Sequence, residues 1–383
     1  MPGLVARTRK NLRSLTCWLW ASAIFCAQAS EAFFPIGVWL QDPTNALHYR
    51  AAGINTYVGL WQGPTDQQLT ELQAAGMRVI CFQNEIALRH PCGTNIIAWM
   101  HEDEPDNAQK FGARLGFGSP TPPERIQAEY RRMKNADATR PVFLNLGQGV
   151  AWENWYGRGT RNGNAEDYPR YLEGCDIASF DIYPVNHPRL EVAGNLWYVP
   201  QGVERLRHLT NEQKPVWNFI ECTGINRSDR KPTPIEVRAE VWMSLIHGSR
   251  GIIYFVHQFK PTFVEAALLA DPEMLATVTQ LNQQISSLAP VLNSPSITNA
   301  LMIRSTNTAA PIAVLVKQAG GFKYVFAVAM RPLETNVEFT LKNLSTSDTV
   351  EVIGENRSLP MSEGKFSDQF GPWAVHLYRV RAE

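Results

Sequence analysis

The chain has no net charge: 36 Lys plus Arg offset 36 Asp plus Glu over 383 residues. Without a basic excess it is poorly equipped to hold nucleic acid or an anionic membrane surface, and a neutral partner suits it better. It also lacks the short motifs of several chemistries. No G-x-S-x-G elbow, H-E-x-x-H pair or His-x-His pair occurs, so serine-hydrolase and metal-barrel readings are missing their required groups. No glycine-rich phosphate loop opens a helix after a strand, which argues against nucleotides. Internal repeats and low-complexity tracts are absent too, and no cysteine or histidine spacing resembles a zinc site. Neither a metal nor a cofactor is expected.

Long hydrophobic runs are scarce. The main one, over residues 15–26, follows Arg7, Arg9, Lys10 and Arg13 and precedes Ala27-Gln28-Ala29. It spans only about a dozen residues where roughly 20 are needed to cross a bilayer, and the A-x-A end is a cleavage signal. Residues 1–29 are therefore expected to be a secretory signal peptide, placing the mature chain outside the cell or in the periplasm, with no membrane contact after cleavage. Removal of that segment leaves Cys81, Cys92, Cys175 and Cys222. The short spacing makes Cys81 with Cys92 the simplest pair, and free buried thiols are the alternative.

What the chain does have is alternation. β-rich apolar runs recur at 34–40, 54–60, 78–83, 96–102, 141–146, 177–183, 216–221 and 251–257, separated by helical or loop segments. Eight such units, apolar on both faces, predict an α/β (β/α)8 TIM barrel over 33–290. Glycines at 53, 76 and 248 stand where helix C-caps belong, and Pro122-Pro123-Glu124 and Pro234 open helices. The third unit is thin, because 85–95 contains Pro91 and Gly93 and leaves room for a short helix or none. A closing helix is expected over 272–288 and a linker over 290–295. Beyond it, closely spaced strands with no helices between them, including a hairpin turning on Gly320-Gly321, predict a small all-β sandwich over 296–383.

Two glutamates sit where apolar runs break into polar loops: Glu104 in His101-Glu102-Asp103-Glu104-Pro105-Asp106-Asn107, and Glu221 in Trp217-Asn218-Phe219-Ile220-Glu221-Cys222. If both runs are strands of one parallel barrel, the two residues open onto the same face, and paired carboxylates are the minimum equipment for cleaving a glycosidic bond. Each also has a plainer reading, Glu104 for instance as an acidic group at a helix N-terminus. Glu102 is the rival acid.

With Glu104 on strand four and Glu221 on strand seven, the chain resembles the (β/α)8 retaining glycoside hydrolases of clan A, the superfamily of β-galactosidases and cellulases. The resemblance covers residues 33 to about 290 and rests on Asp103-Glu104-Pro105, similar to that clan's Asn-Glu-Pro, and on the strand-seven position of Glu221. It implies an exported hydrolase of β-linked oligo- or polysaccharides, with Glu104 as general acid then base and Glu221 as nucleophile. The alternative from another class is a noncatalytic glycan-binding or scaffold protein on a degenerate barrel. Asp103 departs from the pattern: the clan's Asn donates to the sugar 2-hydroxyl, whereas an ionised Asp only accepts, so either the contact differs or Asp103 carries a proton.

The resemblance also implies that Tyr183, on strand six, hydrogen-bonds the nucleophile. Asp181 at the same strand end is either a substrate contact or a loop anchor. Trp39 and Trp61, at the ends of strands one and two, are sugar platforms or rim packing, and Asn145 and His257, with Gln148 and Gln258, are candidate hydroxyl partners. His101 is expected to be a packed strand histidine. The glycine- and tryptophan-rich loop over 147–168 is long enough to suggest a cleft wall.

Overall fold

The computed structural model describes residues 33–382 apart from 92, 111–115, 343 and 345–348. The expected signal peptide and Cys92 therefore lie outside the described residues. Cys81, Cys175 and Cys222 are buried free thiols.

Eight parallel strands close into a barrel: β1 (Ile36–Trp39), β2 (Thr56–Val58), β3 (Arg78–Cys81), β4 (Ile96–Met100), β5 (Val142–Leu146), β6 (Ile177–Phe180), β7 (Val216–Glu221) and β8 (Gly251–Phe255), with β1 bonded to both β2 and β8. The strands read as continuous apolar runs because both faces are buried. Val58, Ile80, Ala98, Phe143, Phe219 and Ile253 fill the interior, while Val38, Tyr57, Leu144, Ile220 and Ile252 pack outward under the helices. Most strands stop two or three residues before the apolar run does, so the last residues of each run belong to the loops of the C-terminal face.

The helices are α1 (Ala46–Ala51), α2 (Asp66–Ala74), α3 (Glu85–Arg89), α4 (Pro123–Ala136), α5 (Asp167–Leu172), α6 (Tyr198–Leu209), α7 (Pro234–Ile246) and α8 (Pro272–Leu292). The thin third unit does carry a helix, of five residues, started by Asn84 Oδ1 accepting from Ala87 N. Reciprocal capping boxes begin α2 (Thr65 with Gln68) and α7 (Thr233 with Glu236). Among the described residues no helix is long and apolar enough to cross a membrane.

The expected linker at 290–295 is partly helix instead, since α8 runs through Pro290 to Leu292. Ala289, Val291 and Leu292 are buried, and packing holds the last turn in place although Pro290 lacks an N–H. Further up the same helix, Asn282 accepts from Tyr254 Oη at 2.9 Å and donates to Ala52 O at 2.8 Å, tying α8 to β8 and the end of α1.

The C-terminal part packs a five-stranded sheet on a three-stranded one. The first has the order β10 (Ile312–Ala319), β11 (Phe322–Ala329), β16 (Val375–Arg381), β13 (Thr349–Val352), β14 (Arg357–Pro360); the second is β15 (Lys365–Phe370), β12 (Thr335–Leu341), β9 (Leu301–Ser305). Strands β9, β14 and β15 are additions to the sequence reading. Phe339 of β12 lies 5.3 Å from Tyr378 of β16 and stacks on Phe366 of β15 at 4.7 Å, so the aromatics bridge both sheets. Gly320 and Gly321 take φ of 56° and 79°, the left-handed pair that a tight hairpin needs.

Helix α7 explains how this part joins the barrel. It is buried nearly all round, covered on one side by β7 and on the other by β11, with Trp242 5.3 Å from Phe326. One hydrophobic core therefore runs from the barrel's outer layer to Phe326, Val328 and Leu377.

Candidate active site

Glu104 is built into a turn just past β4. Its φ is 43°, a left-handed conformation that costs a non-glycine residue roughly 1 kcal/mol and persists only where neighbours impose it. Those neighbours are visible: Glu104 N donates to Asn145 O at 3.1 Å, and Glu104 O accepts from Asn107 N at 3.0 Å and Gln109 Nε2 at 3.2 Å. Asn145 Nδ2 meanwhile donates to Asp103 Oδ1 at 2.9 Å. The end of β5 thus positions both members of the Asp-Glu pair.

The segment after Glu104 is anchored by the 147–168 loop. Buried Asp106 accepts from Gly147 N at 2.8 Å and Tyr168 Oη at 3.3 Å, and the buried Arg158 guanidinium reaches Asp106 O at 3.3 Å and Asp167 at 2.8 Å. Trp155 Nε1 donates to Asn107 Oδ1 at 2.8 Å. Expected as a cleft wall, this loop is a brace, and none of its residues lines the main cleft of the C-terminal face. Sequence reasoning missed Asp106 and Arg158, whose only signal is opposite charge among aromatic residues.

Glu104 stands among carboxylates. Burial raises its pKa well above the ordinary carboxylate range, and the charges of Asp181 and Asp103 push it further; it also shares a hydrogen bond with Asp181. Asp181 is itself pushed up to about 6 by burial, against the hydrogen bond from Glu104. Asp103 is raised to about 7, first by the protein crowded around it and then by Asp181, while Asn145 pulls the other way. Asp103 is exposed to the cleft, whereas Glu104 is half-buried. The three titrate as one coupled unit. Tyr183 lies with its hydroxyl against Asp181, though without a partner at good hydrogen-bond geometry.

This arrangement differs from the expectation in two ways. The carboxylates acting most strongly on Glu104 are Asp181, Asp103 and Asp106, where Glu221 was expected; and Tyr183 turns to Asp181, where the nucleophile was expected. Asp181 and Tyr183 both lie just past β6, which ends at Phe180, and Asp181 N still donates to Leu146 O of β5 at 3.1 Å.

Glu221 ends β7 as expected and is fully buried. Oε1 accepts from Val185 N at 2.5 Å and Oε2 from Asn186 N at 3.0 Å. Asn186 in turn ties that turn to the loop after β7, its Oδ1 accepting from Asn226 N and, at 2.8 Å, from Arg227 N. Burial pushes the Glu221 carboxyl up to about 8, against the two backbone donors that favour its ionised form. The turn over 184–186 covers it.

A cleft of about 820 Å³ opens beside this cluster over the ends of β1, β2 and β8. Asp103, Trp39, Trp61 and His257 line it together, so four of the sequence candidates meet there. Trp39 is 7% exposed and packs edge-on against Phe219 at 5.3 Å, whereas Trp61 is 68% exposed and free to meet a ligand. His257 Nε2 accepts from Gln41 Nε2 at 3.1 Å. Phe255, Phe259 and Phe263 extend the wall, with Phe259 and His257 stacked at 6.2 Å and Phe263 stacked on Phe259 at 5.6 Å. Phe259 and Phe263 were missed, although their spacing around His257 just past strand eight was there to be seen. His101 is a packed histidine, its Nε2 2.8 Å from Gly174 O.

No protein-family model matches the chain, and no curated protein matches it by sequence. Solved structures do match. An α-amylase from Geobacillus thermoleovorans, complexed with acarbose, aligns at a TM-score of 0.52 and 12% identity over 91% of this chain and 98% of that one. A noncanonic maltogenic α-amylase from Thermotoga neapolitana aligns at 0.51 and 9% identity over 92% and 99%. A glycoside hydrolase family 30 subfamily 8 xylanase from Clostridium acetobutylicum aligns at 0.49 and 12% identity over 93% and 98%. The two amylases establish the fold: a (β/α)8 barrel followed by a β-sandwich, similar over nearly the full length to barrels of glycoside hydrolases.

Proposed function

We propose that the chain is an exported glycoside hydrolase in which Glu104 donates the proton to the leaving oxygen. The observation that carries this reading is Glu104 itself, its pKa raised by burial and by Asp181 and Asp103, and next in sequence to the Asp103 that lines an aromatic cleft. A general acid must hold its proton at working pH and release it in the transition state, and a neighbouring carboxylate provides both conditions. Asp103, titrating near 7, can donate to a sugar hydroxyl when protonated, as an amide would. For the finer assignment we propose retention at a β-linkage, with Glu221 as nucleophile. That role requires the 184–186 turn to draw back, which readmits water, lowers the Glu221 pKa and uncovers the carboxylate.

The cleft also limits the substrate. Asp42, Asp103 and Glu265 line it with five aromatic rings from Trp and Phe, and among the described residues no Lys or Arg does. It is suited to neutral sugars and repels polyuronates. In a screen of neutral polysaccharides, aryl β-glycosides and uronic-acid polymers, turnover is expected on neutral substrates only and is lost in Glu104→Ala; equal turnover by that variant overturns the proposal.

The sealed state of Glu221 favours a second reading, a barrel that binds glycans without cutting them. The same screen separates the two, because a binder retains neutral oligosaccharides by calorimetry while releasing no reducing sugar.

The Asp181 contact makes a separate prediction. Asp181→Asn removes a charge that holds the Glu104 proton, so the alkaline limb of kcat/KM is expected to move to lower pH by roughly one unit. A purely structural role for Asp181 lowers activity at every pH and leaves the limb where it was.

A further inference from the structure

At the opposite, N-terminal end of the barrel, a cavity of about 460 Å³ lies in the seam with the β-sandwich. Among the described residues four cations line it, Arg207, Lys214, Arg250 and Lys317, against one carboxylate, Glu212. Lys317 of β10 is only 3% exposed. Its ammonium donates to Leu292 O at 3.1 Å and to Ser294 O, and Arg250 Nη1 also donates to Leu292 O at 3.0 Å. Lys214 donates to Leu172 O at 2.6 Å and Cys175 O at 2.7 Å. Among the described residues, none of these three forms an ion pair; only Arg207 does, with largely exposed Glu212 at 3.1 Å.

Backbone carbonyls satisfy hydrogen bonds but leave the charge uncompensated. The C-terminus of α8 offers about half a negative charge to Lys317 and Arg250, and Glu212 offers one more. Four cations therefore retain an excess of roughly two to three positive charges around one cavity. Burial and the neighbouring Arg250 and Arg207 lower the Lys317 pKa to about 8, the expected result where cations face one another with no counter-ion. Lys317 and Lys214 each have three N–H donors and two carbonyl acceptors, so each keeps one donor for a ligand.

We propose that this seam binds a small tetrahedral oxyanion, a phosphate or sulfate group, which bridges the barrel through Lys214 and Arg250 to the sandwich through Lys317. The cavity has room for such an ion with several waters. Bound there, the ion stabilises the joint between the two parts by mass action, independently of catalysis at the other end of the barrel.

Inorganic phosphate titrated into the full chain at constant ionic strength provides the test. One-to-one binding with a Kd below about 1 mM, competed by sulfate and not by chloride, supports the proposal. No saturable heat up to about 20 mM overturns it. Lys214→Gln and Arg250→Gln, on different elements, are each expected to weaken binding about tenfold and to remove the rise of a few degrees in Tm that phosphate gives the wild type. Unchanged binding in both variants also overturns it, since general salting-out survives such substitutions. Activity on the best glycoside is expected to be unchanged in both.

Discussion

Glu104→Gln is expected to lower kcat/KM on a glycoside with a poor leaving group by about 10²- to 10⁴-fold, the usual worth of a placed general acid. The deficit is expected to shrink on aryl glycosides whose leaving group needs no proton. If both substrates slow equally, Glu104 is not the acid. Glu104→Gly separates chemistry from strain. At φ 43° glycine relaxes a conformation that glutamate holds at a cost, and it removes a carboxyl buried among carboxylates. Turnover is expected to vanish while the unfolding free energy rises by about 1 kcal/mol, giving a higher denaturant midpoint. The sign of the pH effect follows from the raised pKa values. Protons bound by the folded cluster, with Asp181 near 6 and Asp103 near 7, are absent from the unfolded chain above the ordinary carboxylate range. Their stabilisation is complete below about pH 4 and is lost as pH rises through 6 to 7 and beyond. Glu104→Gln takes one titrating group away and so flattens that loss.

The barrel was legible because burial on both faces writes each strand as an uninterrupted apolar run, and the eight runs fall in register with the eight observed strands. Strand ends were less so. The run over 177–183 continues past β6 because the loop residues Ile182 and Tyr183 are also buried, and the run over 96–102 continues past β4 through buried His101, so periodicity does not mark where pairing stops. The helical Pro290 was hidden for a similar reason: packing of Val291 and Leu292 outweighs the local signal of proline. At the site, Trp39, Trp61, Asp103 and His257 were found because each lies on a strand end that faces the same way. Asp181 was found, but its partnership with Glu104 was not, since contact between residues 77 positions apart depends on how two loops fold over the barrel mouth. The brace from Arg158 to Asp106 was missed on the same ground: loop geometry sets it, and no period announces it.

Glu221→Gln carries the other large expected effect, and it tests two roles at once. The amide keeps the shape of the carboxylate but turns an NH₂ toward Val185 N or Asn186 N, where an acceptor stood. One backbone donor is left facing another, at a cost of about 1–3 kcal/mol that is expected to appear as a lower Tm and faster amide exchange over 184–186. That stability loss follows from the geometry whatever the protein catalyses. The catalytic loss is larger and has its own signature. A nucleophile replaced by an amide cannot form the glycosyl-enzyme, so turnover is expected to fall by about 10⁴-fold or more, with no burst on an activated aryl glycoside. In the wild type, proton NMR of the first product is expected to show the starting anomeric configuration. Inversion removes Glu221 from the chemistry and leaves it as the clamp of the 184–186 turn; a carboxylate of the Glu104 cluster, with Asp103 the one open to the cleft, then has to activate the water. Retention with a destabilised, inactive variant assigns both roles to the same side chain: closed, it fastens the turn, and opened, it attacks.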